Sequence, residues 1–128
     1  MPAVTDLTWS QLNIALKQLT GSSLNSIITV DAYGIPTNIN ILEAVGGISP
    51  DLAQPEATVG VIKFITRLYD ACKIAQDMAN QGKTTGEKLN AFGVATAAAP
   101  KGTLVPITRT IVSQADLSSA TKIVGTNV

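Results

Sequence analysis

An α+β fold is expected from this sequence: one long central amphipathic helix packed with a small, mainly antiparallel sheet and one or two shorter helices. Three features predict it. Residues 55–81 keep helical periodicity, residues 25–42 alternate like two strands around a turn, and residues 103–113 are rich in β-branched side chains interrupted by Pro106. A chain of 128 residues suits one domain, spanning 1–128, and is long enough to bury a core without staples. Cys72 is the single cysteine, so no intrachain disulfide is possible.

The first element is a short helix over 7–20, "LTWSQLNIALKQLT", in which Leu12, Leu16 and Leu19 share a face with Trp9 and Ala15 nearby. Thr8 and Gln11 have capping-box spacing, and Gly21 is a natural stop. Strands are expected over 25–31 and 35–42, joined by "DAYG". Asp first and Gly fourth favour a type I turn, because the carboxylate caps the backbone and Gly tolerates the exit angle. Pro36 donates no ladder bond and belongs at an edge or a strand start.

After a Gly- and Pro-rich connector over 43–55, the long helix is expected to start at Pro55 and stop before Gly82. Ala57, Val61, Phe64, Ile65, Leu68, Ala71, Cys72, Ala75, Met78 and Ala79 form its broad apolar face. Lys63, Thr66, Arg67, Asp70, Lys73, Asp77 and Asn80 form a narrower polar stripe, with Arg67/Asp70 and Lys73/Asp77 spaced to pair. A helix of about 26 residues is about 39 Å long and would span the molecule. Residues 84–99 read two ways: Thr84 and Glu87 with Leu89 and Phe92 favour helix, whereas Gly93, Val94 and Thr96 favour strand. Residues 115–128 suit a last short helix or strand.

Charge narrows the function. Nine cations balance nine anions, which argues against nucleic acid and against an anionic membrane surface. The balance is uneven along the chain. Residues 1–56 carry Lys17 against five anions, and residues 57–128 carry eight cations against four, a polarity suited to head-to-tail stacking if the fold keeps the halves apart. Charged residues make up only 14%, so much of the surface is neutral and the barrier to self-association is weak. No run approaches the roughly 18 apolar residues of a membrane span. "MPAVTDLTWS" lacks a basic start and an apolar segment, so cytoplasmic synthesis without a signal peptide is expected, with the final location open.

Chemistry finds little purchase. The chain has no histidine, which removes Ser-His-Asp and Cys-His arrangements and the commonest zinc ligand. "GKTT" at 82–85 resembles a P-loop ending, but Asp77 stands where the pattern needs Gly, and a helix precedes it instead of a strand. Cys72 falls on the apolar face of the long helix and reads as an inert, buried thiol. No catalytic residue, cofactor or metal site is expected.

The expected role is therefore a non-enzymatic structural subunit that self-associates into a larger homo-oligomer, a filament, tube or shell. The composition is similar to that of such subunits, a likeness of composition and not of motif. Candidate interface residues are Tyr33, Thr37, Asn38, Asn40, Thr108 and Thr110, on the Pro-marked strands over 37–41 and 104–112. The alternative is a small protein- or peptide-binding module reading a partner through Tyr33, Asn38 and Asn40.

Overall fold

The structure is a computed structural model that describes residues 3–46 and 60–114. The order is α1 (Trp9–Thr20), β1 (Ile28–Val30), β2 (Pro36–Ile39), α2 (Ile41–Ala44), α3 (Val61–Ala79), a 3-10 turn (Thr85–Glu87), β3 (Thr96–Ala97) and β4 (Ile107–Thr108). The expected α+β class holds, with three helices and two antiparallel two-stranded sheets, β1–β2 and β3–β4. The tail over 115–128 and most of the connector over 43–55 lie outside the described residues.

Helix α1 forms as its capping signals dictate. Gln11 N–H donates to Thr8 Oγ1 at 3.1 Å and Thr8 N–H donates to Gln11 Oε1 at 2.8 Å, so two orphan donors satisfy each other. Gly21, at φ +68°, ends the helix by donating to the Lys17 carbonyl. Leu12, Ala15 and Leu16 are buried and meet Ala71 and Ala75 of α3. Those alanines, one turn apart, leave room for the two helices to approach closely.

Helix α3 differs from expectation at its start. Gly60 has extended backbone and the helix begins at Val61, so its 19 residues span about 28 Å rather than 39 Å. Gly60 offers no side-chain cap, which fits an element held by packing more than by its end. The apolar residues of the first turns, Val61, Ile62 and Ile65, are exposed. Below them Tyr69, Ala71, Ala75, Gln76 and Asn80 are buried. Of the expected ion pairs, Lys73–Asp77 forms at 2.7 Å. Asp70 meets Arg109 instead of Arg67, its carboxylate accepting two bonds from the one guanidinium.

The β1–β2 hairpin packs on α1 through Ile27 and Ile28. Asn13 of α1 fixes its entry, its Oδ1 accepting from the N–H groups of Ile27 and Ile28 at 2.8 and 2.9 Å. In the turn, Asp31 Oδ1 accepts from Tyr33 N–H and Ile35 N–H at 2.8 and 3.0 Å, and Gly34 takes φ +80°. Pro36 is the first residue of β2. The second strand is shorter than the expected 35–42: Asn40 Oδ1 accepts from Glu43 N–H at 3.1 Å and starts α2 instead.

Residues 84–99 are not a helix. Thr84 and Glu87 form the capping box, but it closes a single 3-10 turn. The chain then runs extended through Phe92, which bridges Ile111, into β3.

Candidate functional site

Residues 91–112 form a β-arm. Val112 N–H donates to the Ala91 carbonyl at 2.7 Å, Gly93 N–H to Thr110 at 3.1 Å and Ala98 N–H to Pro106 at 3.0 Å. Thr96 pairs with Thr108 and Ala97 with Ile107. At the tip Lys101 and Leu104 exchange bonds around Gly102, whose φ is +66°. Ten residues of extended chain from base to tip span about 33 Å. Pro106 accepts from Ala98 but returns no bond, as a residue without N–H must.

Among the described residues nothing covers either face of the outer part of this arm. Every residue from 93 to 105 is exposed, and both strands show only exposed positions. Val94, Leu104, Val105, Ile107, Ile111 and Val112 are 47–76% exposed. A lone two-stranded ribbon is marginal in water, so its base needs an anchor.

Helix α3 supplies one. The ladder bonds at Ala91 and Gly93 turn the N–H and C=O of Phe92 to the opposite edge. There Gln76 Nε2 donates to the Phe92 carbonyl at 2.9 Å and Phe92 N–H donates to Gln76 Oε1 at 3.0 Å. One turn further on, Asn80 makes the same pair of bonds with Leu89, both at 2.8 Å. These two buried amides act as a short third strand. Tyr69 Oη donates to the Gly93 carbonyl, with the Thr110 carbonyl at 3.2 Å, and its ring meets Phe92 edge-on at 5.8 Å. Asp70 holds Arg109 on the return strand through bonds of 3.0 and 3.4 Å.

None of these anchors was legible beforehand. Asn80 reads as part of an exposed stripe, and nothing in the sequence separates Gln76 from a solvated glutamine. Beside them lies a polar cavity of about 530 Å³ between α3 and the arm base. The Gln76 and Asn80 amides in its wall are committed to the backbone, and its Lys73 is paired with Asp77.

A second surface is apolar. Trp9 and Leu12 of α1, Ile28, Pro36 and Ile39 of the hairpin, and Phe64, Leu68 and Cys72 of α3 enclose a groove of about 430 Å³. Asn38 is its only lining residue with a polar amide. Trp9 leaves about half its surface in solvent here instead of closing the core. Cys72 is half-buried; burial, with a smaller push from Asp6, raises its thiol above the usual range. That favours the unreactive protonated form.

The six candidate residues fall on two β-ribbons. Tyr33 tops the hairpin, 90% exposed. Thr37 Oγ1 donates to the Thr29 carbonyl at 3.2 Å, and Asn38 pairs with Thr29 across the hairpin. Asn40 caps α2, so its side-chain oxygen is engaged. Thr108 lies in β4, and the Thr110 carbonyl accepts from Gly93 at the arm base. Among the described residues β2 has one neighbour; alternation turns the Ile39 N–H to its other edge, and the register shifts at Thr37, opposite the step from Thr29 to Val30.

Residues 82–85 form a turn after α3, with Gly82 at φ +74° and Thr84 bound to Glu87. Among the described residues no group of three or more Cys, Asp or Glu side chains gathers to hold a metal, and no helix is long and apolar enough to cross a membrane. No family model matches the chain, and neither a curated protein nor a solved structure shows detectable similarity to it.

Proposed function

We propose that this chain is a non-enzymatic structural subunit that associates with copies of itself into a filament, tube or shell. The observation that carries the reading is the β-arm over 91–112, anchored at its base and bare on both faces. Its six exposed aliphatic residues offer on the order of 500 Å² of apolar surface, divided between its two faces. Burying one such side chain fully is worth about 1.5–3 kcal/mol. Covering several of them offsets part of the roughly 4–15 kcal/mol that association costs in lost freedom. The unpaired edge of β2 and the groove beside it give a neighbour a second place to bind. A net charge of zero gives no overall attraction to nucleic acid, and an apolar arm suits a protein surface.

Light scattering over a wide concentration range, with electron micrographs of the same sample, tests the proposal. Large regular particles are the expected result. A monomer of 13.3 kDa at every concentration refutes it. Asn38→Lys and Thr108→Lys each place a charge on an exposed ribbon and should shrink the particles; unchanged size for both would remove the ribbons from the interface. Tyr33, nearly bare at a hairpin tip, favours a second reading as a protein- or peptide-binding module. That reading requires a monomer whose partner is lost on Tyr33→Ala.

A further inference from the structure

We infer that the tip of the β-arm of one copy seats in the groove between α1, the β1–β2 hairpin and α3 of the next copy, with Lys101 at the Asp6 end of that groove. The inference rests on the self-association proposed above and specifies its contact.

Three observations select this occupant. The groove is lined by apolar side chains with one amide, so it accepts an apolar segment and rejects a charged one. Between 94 and 108 the arm carries Val94, Leu104, Val105 and Ile107 and no acidic residue, and its one cation is Lys101 unless Arg109, held by Asp70, is added. The second observation is charge. Asp6 lines the depression next to Trp9, Leu12 and Cys72 and acts electrostatically on the Cys72 thiol, so a carboxylate stands at that end of the groove. That carboxylate attracts a cation, which orients Lys101 toward the Asp6 end. The third is reach. The arm is about 33 Å from base to tip, comparable with the body it leaves. Its residues 93–105 are exposed, so it does not cover the groove of its own chain.

The arm and the groove are different surfaces, so the contact is heterologous. Each copy gives an arm and receives one, which propagates into a ring or an open filament. Helix α1 of the acidic first half packs on α3 of the basic second half, so the charge polarity along the sequence is not kept apart in the fold and does not itself set this geometry.

Cys72, the only cysteine, lies in the groove and makes the contact testable. In Leu104→Cys each chain carries one thiol at the arm tip and one in the groove. Mild oxidation at alkaline pH, where the Cys72 thiol ionises, should link tip to groove between copies. A ladder of dimers, trimers and higher species is expected on a non-reducing gel, with peptide mapping joining position 72 of one chain to position 104 of the next. Links that map only between two copies of position 72 or between two copies of position 104, or links formed only within one chain, overturn the arm-in-groove contact while light scattering still reports large particles. A sample that scatters as a monomer instead refutes the self-association on which the inference rests. As a second measurement, Cys72 of the native sequence should react more slowly with maleimide in particles than after dilution. Replacing residues 95–107 with Asn-Gly should abolish that protection. Protection that persists without the arm tip means another segment fills the groove, and the inference fails.

Discussion

Gln76→Ala removes the clamp that turns an isolated ribbon into an anchored arm. The side chain is 3% exposed and makes two bonds, to the N–H and C=O of Phe92. A neutral hydrogen bond contributes about 1 kcal/mol net, and stranding its buried partner costs about 1–3 kcal/mol. Two stranded groups set an upper limit near 6 kcal/mol. The polar cavity of about 530 Å³ that both Gln76 and Phe92 line lets water reach them, which discounts most of that penalty. The expected loss is therefore about 2–3 kcal/mol, or about 8–12 °C in melting temperature for a chain of this size. The assay is thermal and urea unfolding at one fixed protein concentration, since association makes the midpoint concentration-dependent. Hydrogen exchange at the Phe92 and Gly93 amides should rise in the same variant. Gln76→Met separates shape from bonding: it refills the volume and restores neither bond. If Gln76→Met lies within about 0.5 kcal/mol of the native chain, volume and not hydrogen bonding holds the arm, and the reasoning fails.

Leu16→Ala opens a cavity at a fully buried position between α1 and the α3 core, and should cost about 2–5 kcal/mol with an unchanged denaturant slope; a smaller loss would mean the two helices collapse onto the space. A double-mutant cycle on Asp70→Ala and Arg109→Ala should give a coupling of about 0.5–1 kcal/mol, small because both side chains are partly exposed; zero coupling would show that Arg109 does not help hold the return strand. Glu87 accepts from the Thr84 hydroxyl at 2.8 Å and the Thr84 N–H at 3.2 Å, which hold its carboxyl below the usual range. A lowered folded value means the stabilisation is present above the usual carboxylate range and is lost as pH falls through that lowered value. An NMR titration of the Glu87 carboxyl that finds an ordinary midpoint would contradict the capping box.

The local signals were read correctly where one residue's chemistry decides one backbone geometry. Thr8 with Gln11 fixed the start of α1, Gly21 its end, and Asp31 with Gly34 the hairpin turn. They misled where two local options are close in energy. Thr84 and Glu87 carry a genuine capping box, but Gly93 and the β-branched residues after it pull the following chain into extended pairing with Ile111 and Thr108. Asn40 suits a strand by alternation and a helix cap by its side chain, and the cap prevails because β2 has run its length at Ile39. Arg67 and Asp70 are well spaced on a helix, yet Asp70 finds a better partner 39 positions away.

By itself the sequence determined the α+β class, the caps and turns, the absence of histidine chemistry and the neutral, weakly charged surface, because each follows from composition or from interactions within a few residues. Only the tertiary structure decided which polar residues are buried. Gln76 and Asn80 became backbone clamps because the arm base passes beside α3 with one edge unpaired, and Trp9 became a groove wall because Ala71 and Ala75 draw α1 onto a different part of that helix. The bare β-arm belongs to the same class of outcome. Pro106 and the alternation of Val105 and Ile107 announce a strand, but exposure on both faces depends on what fails to pack against it, and that is a property of the whole fold.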